Sequence, residues 1–403
     1  MMSIKELDFS GKALYPLVPS ITLGTPSYKW AGIFSEMVTI DRDLSVAGNT
    51  SLAGMLSVTG ASSFTDLSSS GTSSLTTLEV SDNTSLAGML SVTGASSFTD
   101  LSSSGTSSLT TLEVSDNTSL AGMLSVTGAS SFTDLSSSGT SSLTTLEVSG
   151  NTSLAGMLSV TGASSFTDLS SSGTSSLTTL EVSDNTSLAG MLSVTGASNF
   201  TDLSSSGTSS LTTLAVSDNT SMGGTLSVTG VSSFTDVSVS GTMDLSSVDV
   251  SGGATVGGDL SVAGSSSLTT LAVSDNTSMT GMLSVTGASS FTDFSSSGTS
   301  SIATLAVSDN TSMGGTLSVT GASSFTDVSV SGTMDLSSVD VSGGATVGGD
   351  LSVAGSSSLT TLAVSDNTSI TGMLSVTGTS SFTDLSSSGT SSLATLAVSD
   401  NTS

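Results

Sequence analysis

The chain has 403 residues with no cysteine and no histidine, and four Lys and Arg residues against 32 Asp and Glu, for a net charge of −28. That composition excludes disulfide staples and a phosphate-neutralising surface of the kind that binds nucleic acid. No stretch approaches 18 consecutive apolar residues, so no membrane-spanning helix is expected.

The first 42 residues differ from all that follows. They hold every cation (Lys5, Lys12, Lys29, Arg42), all three prolines (Pro16, Pro19, Pro26), Trp30, Tyr15 and Tyr28. Four acids in the same stretch (Glu6, Asp8, Glu36, Asp41) balance the cations, so residues 43–403 carry the whole net charge. Two regions follow: a head at 1–42 and a repetitive β shaft at 43–403. The opening "MMSIKELDFSGKALYPLV" has no continuous apolar core behind a basic start and does not read as a secretory signal.

From residue 51 the phrase "SLAGMLSVTGASSFTDLSSSGTSSLTTLEVSDNT" repeats, with copies starting at 51, 85, 119, 153, 187, 221, 278, 312 and 369. Seven copies are 34 residues long; those at 221 and 312 run to 57. Each copy divides into phrases of 11–12 residues on one template, a hydrophobic residue, a gap, then Leu-x-Val-x-Gly or a variant. In the first copy these centre on Leu56-x-Val58, Leu67-x-Ser69 and Leu78-x-Val80. Internal self-similarity of this kind outranks other signals. Apolar residues at i and i+2 have the period of a half-buried strand, and the frequent glycine disfavours helix. The spacing predicts one short strand and one turn per phrase, with Gly60, Asp82, Asp116 and Asp184 as turn residues, from Leu44 to Leu396. The phenylalanines at 64, 98, 132, 166 and 200 are expected to stack in the core.

An all-β fibrous repeat is the expected class. A single-chain coil with three phrases per turn would have its later phenylalanines rotated to new faces by the two-phrase insertions in the 57-residue copies. A parallel homotrimeric β-prism or β-helix, each phrase one layer, tolerates any number of phrases and is the favoured arrangement; a single-chain β-solenoid is the alternative.

Residues 21–46, "ITLGTPSYKWAGIFSEMVTIDRDLSV", contain a Leu23-Gly24 turn, a small polar run from Thr25 to Ser27, the Lys29-Trp30 pair and the Ile33-Phe34 pair. This segment, and shaft phrases such as "GGDLSVAGSSSLTTLAV", resemble bacteriophage tail-fibre and related virion-fibre proteins. The resemblance implies a homotrimeric fibre in the virion, docked at its N-terminus on a baseplate, tail or capsid protein, and host attachment at the far end. Tyr28, Lys29, Trp30, Ile33 and Phe34 are the expected docking residues, because the shaft has no Lys, Arg, Trp or Tyr. Plugging the end of the core is the competing role for Trp30 and Phe34. The closing "SDNTS" is followed by an apolar residue in every earlier copy, so further repeats or a separate tip protein are expected beyond Ser403.

Other signals are weaker. Stacked aspartates of "SDNTS" suggest a cation site, although turn residues facing water explain them. "NTS" is a glycosylation sequon at Asn83, Asn117 and Asn151, and Asn199-Phe200-Thr201 is another. "GGATVGGD" at 252–259 lacks the lysine of a phosphate loop. With no His, no Cys and acids in repeated surroundings, no catalytic constellation, cofactor or metal is expected. An adhesin on a cell surface or a capsid fibre of another virus is the alternative function. An ice-binding solenoid would need flat Thr-x-Thr arrays, which the "TT", "VTG" and "FTD" phrases do not supply.

Overall fold

A computed structural model describes residues 37–402. They form one β-solenoid of about 21 turns, built from 24 strands in a single sheet, every pairing parallel, with no helix among the described residues. The chain therefore takes the single-chain arrangement.

The strand Met55–Ser69 shows how one coil is made. Its buried positions come in three pairs: Leu56 with Val58, Ser62 with Phe64, and Leu67 with Ser69. Between pairs two or three residues stay at the surface, which breaks the alternation and turns the chain a corner. The coil thus has three sides, each an arm of three residues whose outer two point inward. Here these are Leu56-Ser57-Val58 on the first face, Ser62-Ser63-Phe64 on the second and Leu67-Ser68-Ser69 on the third. The strand Thr72–Leu86 lies directly on it, Leu56 against Ser73, Phe64 against Val80 and Ser69 against Leu86. Seventeen residues complete a coil, so each 34-residue copy is two coils and each phrase of 11–12 residues is two arms.

Two expectations are corrected. The phrase is not one strand and one turn: Asp82 sits in a register shift between Val80 and Asn83 inside a continuing ladder. The case for three chains also fails as argued. A single ribbon with one apolar edge would need partners, but a chain that turns three corners per coil closes its core on itself. The large side chains inside are 7% exposed or less along the whole cluster.

Two coils rather than one form the repeat because inward positions alternate large and small along the axis. Leu56 is followed by Ser73, Leu90 and Ser107; Ser62 by Leu78, Ser96 and Leu112. Each leucine fills the space that the serine above leaves open. The phenylalanines at 64, 98, 132, 166 and 200 lie in the core as expected, each stacked between valines, Phe98 between Val80 and Val114.

One glycine per coil stands at the corner between the third and first faces, at 54, 71, 88, 105 and every 17 residues to 258. The coils pass so closely there that a Cβ added to Gly88 would collide with the Gly71 carbonyl oxygen. After Gly258 the next member of the series is Gly264, six residues on, and after Gly349 it is Gly355. The 57-residue copies are three coils and one extra arm, and the extra arms are the short strands Leu260–Val262 and Leu351–Val353. Every later residue then moves to the next face. Phe234 is on the second face, Phe291 and Phe325 are on the third, and Phe382 is on the first. The rotation that argued against a single-chain coil is what the single chain does.

Candidate functional surface

Outward residues of the three faces form columns about 4.8 Å apart along the axis. On the first face the column is serine from Ser57 through Ser74 and Ser91 to Ser227. On the third it is serine from Ser51 through Ser68 and Ser85 to Ser238. The second face carries Glu79, Glu113, Glu147 and Glu181 in alternate coils, with Ser63, Ser97 and Ser131 between.

The corner after the second face holds a ladder of alternating aspartate and asparagine. Asp66 Oδ1 accepts from the backbone N–H of Asn83 (3.2 Å) and from its Nδ2 (3.3 Å), and Nδ2 also donates to Asp82 Oδ1 at 2.9 Å. The same contacts recur for Asn117 with Asp100 and Asp116. Alternation keeps ladder carboxylates two rungs apart, and each takes up a backbone donor freed by the register shift. At Gly253 the backbone N–H alone reaches Asp236 Oδ1 at 2.7 Å. These aspartates hold the corner together; among the described residues no group of three acids, His or Cys is placed to hold a metal ion. The sequon asparagines at 83, 117 and 151 lie in this ladder with their amides engaged.

Comparison with protein-family models, with curated proteins and with solved structures finds no match to this chain.

The docking residues expected from the sequence, Tyr28, Lys29, Trp30, Ile33 and Phe34, lie outside the described residues. Sequence reasoning passed over a second feature. At the corner between the third and first faces, Met55, Met89, Met123, Met157 and Met191 project outward, 54% to 60% exposed, although methionine is ordinarily a core residue. Threonines at 72, 106 and 140 occupy the alternate coils between them. The signal was present in the alternation of "AGM" with "SGT" after successive corner glycines.

Proposed function

We propose that the chain is the structural shaft of a fibre on a phage or phage-like particle, a scaffold rather than an enzyme. Its N-terminal segment, with Tyr28, Lys29, Trp30, Ile33 and Phe34, docks on a baseplate, tail or capsid protein, and the shaft extends toward the host surface. Homotrimerisation belongs to the same proposal, as three finished solenoids side by side. The observation that carries the reading is the uninterrupted coil. About 21 turns at about 4.8 Å make a rod of about 100 Å. Its surface has no catalytic constellation among the described residues, and its repeat admits lengthening arm by arm.

Imaging of the source particles with an antibody raised against the shaft tests this. Expected is a thin rod attached by one end, released when residues 1–36 are deleted. A label on cell envelopes in the absence of particles would favour the adhesin reading instead. A compact particle of the purified chain would overturn the fibre.

A further inference from the structure

We propose that the uncharged side of the shaft, centred on the methionine corner, is a lateral interface for a second copy of this chain. The proposal deepens the homotrimer element of the function above by naming the surface on which copies meet.

Between Leu52 and Val239 every acid lies on the second face or at the corner following it, as Asp66, Glu79 and Asp82 do in the first two coils. The other two faces present serine columns and no charged residue over about ten rungs, about 48 Å. The neutral side closes where Asp244 interrupts the first-face serine column and Asp259 takes the corner.

Three features select a copy of this chain as the occupant. The described shaft beyond Arg42 has no cation, so two copies cannot pair acids with bases, and approach through the second face sets carboxylates against carboxylates. Only the neutral side offers self-contact without that repulsion. The methionines recur every second coil, about 10 Å apart, with a short threonine between. A parallel copy set alongside in register, as a closed ring of three requires, brings methionine level with methionine and threonine level with threonine on successive rungs. A partner must share this two-rung period to meet all five methionines together, and a second copy does so by construction. Methionine suits such a contact because its unbranched side chain adapts to what it meets.

The test uses the purified full chain in sedimentation velocity and light scattering at micromolar concentration. The wild type is expected at a multiple of 39.2 kDa. The combined variant Met55→Thr, Met89→Thr, Met123→Thr, Met157→Thr and Met191→Thr, which matches the intervening rungs, is expected to weaken association at least tenfold. The corresponding five Asp substitutions should leave a monomer with unchanged circular dichroism. A control with Asp at Ser63, Ser97, Ser131 and Ser165 adds charge on the acidic side and should leave the assembly intact. Since the chain has no cysteine, Met123→Cys should give an interchain disulfide under mild oxidation. A monomeric wild type, or a five-Asp variant that folds and keeps the wild-type mass, would overturn the interface. A dimer supports it while removing the trimer, and particle imaging judges the fibre reading independently of either.

Discussion

Phe234 and Phe291 occupy the same place in the repeated phrase, yet they lie on adjacent faces of the solenoid, in ladders that never meet. Phe234 pairs with Val216 and Val250, Phe291 with Val273 and Val307. The displacement is one arm, introduced where Gly258 gives way to Gly264. It is tolerated because an arm needs only two inward side chains that fit the arm below, and each face accepts Leu-x-Val, Ser-x-Phe or Thr followed at i+2 by Leu, Met or Ile. In a solenoid of near-equivalent units, stability is a sum of local units and nearest-neighbour contacts.

Deletion of residues 243–265 is therefore expected to leave a folded shaft. It joins Thr242 to Ser266 and restores the phrase "SGTSSLTTLAV", removing one coil and one arm together with the first rotation. Circular dichroism should keep its β signature, and the melting temperature should stay within a few degrees. Deletion of Ser57 alone, by contrast, reverses the inward and outward sides of its arm and should open that coil to protease. A 23-residue deletion that unfolds the shaft would show that the extra arms are needed locally.

The strand class, the inward Leu, Val and Phe positions and the repeat boundaries were all legible in the sequence, because alternation at i and i+2 reports burial directly. Coil length was harder to read. Two arms of five or six residues look like one phrase of 11–12, and Leu-x-Val-x-Gly is a louder pattern than a lone glycine every 17 residues. The glycine series at 54, 71 and 88 carries the true period, since close passage of successive coils at that corner is a property of the coil. The outward methionines were missed for a related reason: composition marks methionine as core, and only the corner after Gly54 turns Met55 out.

The corner glycines supply a sharp contrast. A Cβ at Gly122 would meet the carbonyl oxygens of Gly105 and Ser104, backbone atoms fixed by the coil below, whereas a Cβ at Gly48 meets nothing within 4 Å. Gly122→Ala should cost on the order of 1–3 kcal/mol, as overpacking does, and expose the neighbouring coils to proteolysis. Gly48→Ala should be nearly silent in thermal melts. Equal effects would mean that the corner opens to admit the methyl group.

Buried threonines point the other way. The hydroxyls of Thr84, Thr118, Thr152 and Thr186 are buried without a hydrogen-bond partner, each between leucines of the coils above and below. Thr→Val keeps the shape and removes the desolvated hydroxyl, so each change should stabilise by about 1 kcal/mol. The four sites are about 10 Å apart, but neighbours share a leucine, Leu101 between Thr84 and Thr118, so the fourfold gain should depart from the simple sum of the single ones. Denaturant midpoints of the single and fourfold variants measure this. Loss of stability in Thr118→Val would show that the hydroxyl has a partner, a bridging water for instance.

The aspartate–asparagine ladder gives a salt-dependent test. Asn117 stands between Asp100 and Asp134 and donates its amide to Asp100 and Asp116. Asn117→Asp removes both side-chain donors and sets three ladder carboxylates on consecutive rungs about 4.8 Å apart. Like charges directly opposite in a sheet destabilise by roughly 0.2–1 kcal/mol per pair, and the new aspartate has a neighbour on each side. The variant should melt below wild type at low ionic strength. The deficit should shrink in 1 M salt, where the Debye length falls to about 3 Å; whatever remains there measures the lost amide hydrogen bonds. Asn117→Ala removes the donors without adding charge, so its deficit should not change with salt. If the two variants respond to salt alike, alternation in the ladder has nothing to do with charge, and asparagine is there only for its hydrogen bonds.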